Sequence, residues 1–277
     1  MAELEFDGII QSALAEDMPE GDVTSESIIA PSAVSEAVLL AKEAGVLAGL
    51  TVARRVFELV DGRVAFQAKS EDGLPFRKGD ILAHLKGPTI ALLKGERTAL
   101  NFLQRLCGIA TATRRFVDAV SGTKARILDT RKTTPGLRRL EKYAVRMGGG
   151  QNHRMNLSDM ALIKDNHLRH VGSITEAVRR ARENVPSGVK VEVEVTSFEE
   201  SREALAAGAD IVMLDNMALD EMKRVVDSYA GRTPIEVSGS VTLDRAREIA
   251  AIGVDFISVG GLTHSAKALD ISLEFLS

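Results

Sequence analysis

The spacing of apolar residues changes part-way along the chain. Over residues 1–110 the pattern is mixed. An amphipathic stretch predicts a helix over Glu5–Glu16, and the turn-rich "EDMPEGDVTSES" with Pro19 and Gly21 follows it. Strand-like runs come next at "EAVLLAKEAG", "RVAFQAKS" and "DILAHLKG", with a helix at "TVARRVFELV" between the first two. This is an α+β pattern. A long helical stretch then covers Ala91–Val120, where Leu93, Leu100, Leu103 and Leu106 recur near helical spacing and predict a core stripe. Arg97, Asn101 and Gln104 fall on another face of it. An interior glycine costs about 1 kcal/mol relative to alanine, so Gly95 and Gly108 predict two helices rather than one.

From Arg126 the rhythm becomes short apolar strand followed by amphipathic helix. The strands read "RILDT", "ALIKDN", "KVEVEV", "DIVMLDN", "PIEVSGS" and "DFISVGG". Helices are predicted over Ser173–Asn184, Glu199–Ala207, Leu219–Tyr229 and Leu243–Ala251. Two units resemble each other, "EALAAGADIVMLDN" and "EIAAIGVDFISVGG". That repeat is the strand–helix unit of a barrel or doubly wound sheet. Six strands are too few for a closed eight-stranded barrel, which takes roughly 250 residues. An open, incomplete barrel is therefore expected, with ligands gathering on the loops that leave the strand ends.

Those strand ends are polar. "RILDT" runs into Arg131 and Lys132, and "ALIKDN" delivers Lys164, Asp165 and Asn166. Glu192 and Glu194 point to one face of their strand, because strand side chains alternate with period two. The next strands end in Asp215 and Asn216, in Ser238, Gly239 and Ser240, and in Gly260 and Gly261. One polar strand end means little; six on one rim predict a site. "SGS" and "GGLTHS" also place small residues and free backbone N–H groups ahead of helices, an arrangement suited to phosphate. Ordinary caps and turns use the same residues.

Charge sharpens the picture. The 277-residue chain carries a net charge of −4, yet Lys124 to His170 holds eleven Lys and Arg against four Asp and Glu. A solvated basic face is the plain alternative. The block is interleaved with Thr, Gly, His and Asn, which fits a shaped small-molecule site. With no Trp and two Tyr, the chain has little to offer as stacking platforms for single-stranded nucleic acid. The N-terminal "MAELEFDGII" lacks the marks of a signal peptide, and charges break every apolar run short of about 18 residues, so no membrane span is expected. The single Cys107 fits a reducing compartment, and a cytoplasmic protein is expected. Cys107 lies on an apolar helical face and reads as a buried structural residue.

"GERTALNFLQRLCGIAT", "DTRKTTPGLRRLEKYAVRMGGGQNHRMNLSD" and "LIKDNH" together resemble the quinolinate phosphoribosyltransferase family, and the likeness extends to "EDMPEGDVTSES" and "GGLTHSAKALDISL". The resemblance implies an α/β protein of the type II phosphoribosyltransferase class, a sandwich-like α+β domain followed by the open barrel. The expected division is residues 1–110 for the α+β domain, 111–265 for the barrel, and 266–277 for a C-terminal helix packing back on the first domain. The implied reaction joins quinolinate to 5-phosphoribosyl-1-pyrophosphate with loss of pyrophosphate and carbon dioxide, using magnesium. It gives nicotinate mononucleotide for NAD biosynthesis.

By the same resemblance, Arg131, His153, Arg154 and Lys164 take quinolinate, and guanidinium groups can hold carboxylates bidentately. Lys132 contacts substrate or pyrophosphate. Glu194 and Asp215 stand by the ribose and the metal, and with Lys132 and Lys164 make up the implied catalytic set. Ser238, Gly239, Ser240, Gly260, Gly261 and His264 surround the 5-phosphate. Arg97 reaches into the neighbouring subunit's site, which implies a homodimer or a higher oligomer. Glu192 is the less certain of the two strand glutamates. Asn166 and His167 are expected to orient the loop that carries Lys164, while His84, His167 and His170 lack the clustering of metal ligands. "RRLEK" is expected to face solvent, with Arg138 and Arg139 adding to an anionic funnel.

Three rival readings remain. Molybdenum-uptake relatives of the same fold lack the "KDNH" signature that this chain has at Lys164–His167. Nicotinate phosphoribosyltransferases take a monocarboxylate, whereas the extra cations near 131 and 164 suit two. A nucleic-acid module is disfavoured because the basic block is split across strand-end loops.

Overall fold

The computed structural model describes residues 6–229 and 231–276. In chain order the elements are α1 (Asp7–Asp17), α2 (Val23–Ile28), β1 (Val34–Ala41), β2 (Gly45–Val46), α3 (Leu50–Val60), β3 (Ala65–Ala68), β4 (Pro75–Phe76) and β5 (Ile81–Pro88). Then come α4 (Thr89–Ala119), β6 (Arg126–Leu128), α5 (Arg138–Met147), β7 (Ala161–Ile163), α6 (Asp165–Val171), α7 (Ile174–Asn184) and β8 (Val191–Val195). The chain closes with α8 (Phe198–Ala206), β9 (Ile211–Asp215), α9 (Leu219–Tyr229), β10 (Ile235–Ser238), α10 (Leu243–Ala251), β11 (Phe256–Ser258), α11 (Gly261–His264) and β12 (Ile271–Phe275). They form two compact units, one of Met1–Ala112, Thr134–Gly149 and Ser265–Ser277, the other of Thr113–Thr133 and Gly150–His264. The expected barrel segment 111–265 is thus interrupted, because residues 134–149 with α5 pack in the first unit.

The first unit holds an antiparallel sheet in the order β12-β1-β5-β3 and a small ribbon of β2 with β4. Helix α3 buries Val52, Ala53, Val56 and Phe57. The helix predicted over Glu5–Glu16 starts on a residue outside the described ones; α1 runs from Asp7 to Asp17.

Three expectations are corrected here. First, α4 is one helix of 31 residues, not two. Its glycines mark close approaches rather than breaks. A Cβ on Gly95 would lie 2.6 Å from the Phe57 ring, and one on Gly108 would lie 2.1 Å from the Lys267 carbonyl oxygen. Leu100, Leu103 and Leu106 are buried as the stripe predicts, and Leu93 is half-buried. Second, "RRLEK" is a solvent face only in part: Arg139 is exposed and Arg138 half-buried, but Leu140, Glu141 and Lys142 are all buried. The Arg105 guanidinium pairs with Glu141, whose other carboxylate oxygen accepts from the Thr134 backbone N–H at 3.1 Å. Third, the C-terminal segment is a strand. β12 pairs antiparallel with β1, buries Ile271 and Leu273, and turns Ser272 and Glu274 the other way, where Glu274 pairs with Lys42 at 2.7 Å. A helix there would leave β1 with an unpaired edge. The expected final residue, Ser277, lies outside the described residues.

The second unit is a six-stranded sheet in the order β6-β11-β10-β9-β8-β7, with every pairing parallel. Its outer strands β6 and β7 are not paired with each other, so the barrel stays open. Strands buried on both faces read as continuous apolar runs, and Ile211, Val212, Met213 and Leu214 are all buried. The helices start where serine and threonine allow. Ser173, Ser197 and Thr242 cap α7, α8 and α10 by accepting from the backbone N–H three residues on, at 3.2, 3.1 and 3.3 Å. Among the described residues no helix is long and apolar enough to cross a membrane.

Candidate active site

All six parallel strands of the second unit send their C-terminal ends toward one cavity of about 740 Å³, a size that suits a small-molecule site. Arg131, Lys132, His153, Arg154, Lys164, Glu194, Asp215, Ser238, Gly239, Ser240, Gly260, Gly261 and His264 all line it. Arg97 does not; it is exposed on α4, in the first unit.

Strand alternation stacks two layers of side chains. Glu194, Asp215 and Ser238 are the upper residues of β8, β9 and β10. Two residues earlier on the same strands stand Glu192, Met213 and Glu236, and Ser258 lies on β11. Glu192 and Glu236 are 0 % and 1 % exposed. The expectation that Glu192 shares the face of Glu194 is met, one layer deeper.

The cationic groups are held from behind. Buried Asp129 accepts from Asn152 Nδ2 at 2.5 Å and from the His153 backbone N–H at 2.9 Å, which fixes the "NHR" segment beside β6. Arg154 donates to the Met160 carbonyl at 2.9 Å, and burial together with the nearby Arg131 guanidinium lowers its pKa. Lys164 pairs with Glu194. The Lys164 backbone N–H donates to His167 Nδ1 at 2.9 Å, so His167 orients the loop as the sequence suggests. Thr263 Oγ1 donates to the Lys132 carbonyl at 2.7 Å.

The opposite strand ends carry backbone in the left-handed region. Asn216 has φ 51°, Gly239 φ 103° and Ser240 φ 44°. Such conformations are sparse for non-glycine residues and cluster at functional sites. The Asn216 amide donates to Asp215 Oδ2 at 3.0 Å. The helix after "SGS" is capped by Thr242 and starts at Leu243, while "GGLTH" forms a single short turn of helix.

His153 sits where both layers meet. Its Nδ1 accepts from the Arg154 backbone N–H at 2.8 Å, and its Nε2 lies 3.1 Å from Glu192 and 3.4 Å from Glu236. Burial pushes the imidazole pKa down, but hydrogen bonds and charges from Glu192 and Glu236 outweigh it and lift the value to about 9. Burial raises Glu192 to about 7, against the pull of His153. A proton on Nδ1 would face the fixed Arg154 N–H, donor against donor. The added proton of this trio is therefore better held by a carboxyl, with the ring as its Nε2–H tautomer.

Glu194 and Asp215 offer hard oxygen donors on neighbouring strands at the rim of the cavity, the donor type that magnesium takes alongside substrate phosphates. The residues fit that ion. His84, His167 and His170 fall in no group close enough to hold a metal among the described residues.

Sequence reasoning passed over Asp129, Glu236 and Ser258. Glu236 was visible as a carboxylate inside the apolar strand "PIEVS".

Models of the quinolinate phosphoribosyl transferase N-terminal and C-terminal domains match residues 22–107 and 109–274. A protein named probable nicotinate-nucleotide pyrophosphorylase (carboxylating) from Bacillus subtilis is 44% identical over 274 residues, covering 99% of this chain and 94% of the relative. The nicotinate-nucleotide pyrophosphorylase (carboxylating) of Mycobacterium leprae is 42% identical over 283 residues, covering 99% of each. The crystal structure of NadC from Streptococcus pyogenes superposes with a TM-score of 0.96 at 45% identity, covering 100% of this chain and 99% of that one. With both domain models matched in order and relatives this similar along their whole length, the chain belongs to the quinolinate phosphoribosyl transferase family.

Proposed function

We propose that the chain transfers the phosphoribosyl group of 5-phosphoribosyl-1-pyrophosphate to the ring nitrogen of quinolinate, with loss of carbon dioxide, giving nicotinate mononucleotide and pyrophosphate. The observation that carries this reading is the meeting, in one cavity, of four cations (Arg131, Lys132, Arg154 and Lys164) with the carboxylates of Glu194 and Asp215. Both substrates are polyanions. Guanidinium groups hold a carboxylate in a fixed plane, and lysines serve as point charges for pyrophosphate. Lys164, paired with Glu194, can exchange that partner for a quinolinate carboxylate. Glu194 is then released to face the ribose.

As the bond to pyrophosphate lengthens, positive charge grows at the ribose carbon, and nearby carboxylates stabilise it as they do in glycosidases. Magnesium, held by Glu194 and Asp215 together with the pyrophosphate oxygens, would neutralise the leaving group. Ser238, Ser240 and His264, with close backbone at Gly239, Gly260 and Gly261, would hold the 5-phosphate. Once the ring nitrogen is alkylated it carries positive charge. The bond from C2 to its carboxylate breaks, its electron pair stays on C2 beside that charge, and C2 then takes a proton. No side-chain nucleophile is needed.

The active form in this reading is a cytoplasmic homodimer. The partner subunit's Arg97 completes each cavity. Its support is that Arg97 is exposed on α4 and does not line its own chain's cavity.

The test is release of labelled carbon dioxide from quinolinate labelled at its 2-carboxylate, with phosphoribosyl pyrophosphate and magnesium, and with nicotinate run in parallel. Release that needs all three components is expected. Turnover of nicotinate without release from quinolinate would replace this reading with that of a monocarboxylate transferase.

A further inference from the structure

Beneath the cavity floor lies a group that the reaction above does not use. Glu192 on β8 and Glu236 on β10 are buried and flank His153 Nε2, while the Ser258 hydroxyl on β11 donates to Glu236 Oε1 at 2.5 Å. Two carboxylates in the interior of a sheet are costly to bury. Glu192 is the extreme case: neither of its oxygens has a hydrogen bond of good geometry, and His153 Nε2 lies 3.1 Å away.

A metal ion is one explanation, since one atom each from His153, Glu192 and Glu236 lie within 4.8 Å of one another. The tautomer argues against it. The Arg154 backbone N–H occupies the lone pair of Nδ1, so Nε2 carries the proton and has no lone pair for a cation. An Nε2–H that faces two carboxylates at 3.1 and 3.4 Å is drawn to them electrostatically, without the geometry of a well-formed hydrogen bond. The ring is thereby fixed at both nitrogens, by a backbone amide on one side and by the acids on the other, and its remaining edge lines the cavity beside Arg131 and Arg154.

We propose that Glu192 and Glu236 are positioning residues for the quinolinate half of the cavity, acting through His153. The proposal rests on the reaction proposed above. His153 also belongs to the segment that sets Arg154, whose backbone N–H its ring receives. Releasing the ring therefore loosens a wall and a cation together. In the reaction proposed above, phosphoribosyl pyrophosphate is served by Asp215, Ser240 and the glycines of the later strands.

The test uses Glu192→Gln, Glu192→Leu and Glu236→Gln in the full-length protein. Burial and the neighbouring Glu236 both disfavour a charge on Glu192, and its removal leaves Glu236 facing the ring. Glu192→Leu should therefore melt no lower than the parent, yet its KM for quinolinate should rise about tenfold or more while its KM for phosphoribosyl pyrophosphate stays within about twofold. Glu192→Gln, which keeps an acceptor oxygen, should recover part of the loss. Independently of turnover, nitrogen-15 spectra of the His153 ring at neutral pH should report the Nε2–H tautomer in the parent, and in Glu236→Gln the Nε2 resonance should shift and broaden as the ring gains motion. A folded Glu192→Leu protein with the parent's KM for quinolinate overturns the proposal, as does a His153 Nε2 resonance that is unchanged in Glu236→Gln. If no variant and no parent protein releases carbon dioxide, the reading of the reaction fails; the ring spectra then still decide whether the acids hold His153.

Discussion

Gly239→Ala separates backbone strain from site geometry. Gly239 sits at φ 103°, and a Cβ there would lie 2.2 Å from Asn216 Oδ1 and 2.5 Å from its Cγ. An L-residue in left-handed backbone costs roughly 1–2 kcal/mol. The Asn216 amide is exposed and can swing away, but doing so breaks its hydrogen bond to Asp215, worth about 0.5–1.5 kcal/mol. Stability should therefore fall by about 1.5–3.5 kcal/mol. The larger effect should be on the reaction. Asp215 loses the amide that orients it, and the backbone at 239–240 shifts where the 5-phosphate is proposed to bind. A displacement near 1 Å can cost about a hundredfold, so kcat/KM for phosphoribosyl pyrophosphate should drop ~10²-fold while the KM for quinolinate changes little. Gly208→Ala is the control. Gly208 has φ 85° with nothing within 4 Å of its Cβ position, so it carries the strain without the collision. It should lose about 1–2 kcal/mol and keep its kinetics. Denaturant melts and initial rates with each substrate varied in turn would settle the matter. A folded Gly239→Ala protein with the parent's kcat/KM for phosphoribosyl pyrophosphate would refute the reasoning.

Other outcomes follow from the same structure. Gly108→Ala should destabilise by about 1–3 kcal/mol through overpacking against the Lys267 carbonyl, despite alanine's helix advantage, whereas Gly8→Ala in α1, with nothing within 4 Å, should stabilise by roughly 0.5–1 kcal/mol; equal melting shifts would contradict this. Cys107 is buried, and burial pushes its thiol up to about 12, so thiol reagents at pH 8 should label it only as fast as the protein unfolds. Rapid labelling of native protein would contradict the packing of α4. Lys164→Ala should lower turnover at least ~100-fold with a small change in melting, since the lysine is only partly buried. Mixed with Arg97→Ala protein it should regain activity through hybrid dimers, and no gain despite demonstrated subunit exchange would remove Arg97 from the partner's cavity.

What was legible in the sequence had local causes. Period-two alternation placed Glu192 and Glu194 on one face, and strand-end polarity collected nearly every cavity residue, because both follow from the strand and the turn after it. Gly108 was misread because the atom that demands a glycine there, the Lys267 carbonyl, comes from the far end of the chain. "RRLEK" was misread for a similar reason: Glu141 tolerates burial only with Arg105 of α4 beside it, and no helical wheel of α5 contains that arginine. β12 is different. "ISLEF" alternates with period two, and its buried Ile271 and Leu273 are the apolar members, so the strand was readable from the residues themselves.

The two kinds of charged position in this barrel carry unequal information. A lysine or glutamate at a strand end costs almost nothing, since water reaches it. Its presence at Lys132 or Glu194 becomes informative only when several converge on one rim. A carboxylate within an apolar strand is another matter. Between Val191 and Val193, or between Ile235 and Val237, Glu192 and Glu236 are buried where an aliphatic side chain would fit and cost less. A chain that keeps two such acids gains something else from them, and here the side chains they meet include His153 and Ser258. In the proposed reaction the rim supplies the charges that meet the substrates. The layer below restricts where one of the rim's rings can point, and a site that must seat a planar acid against a ribose carbon depends on both.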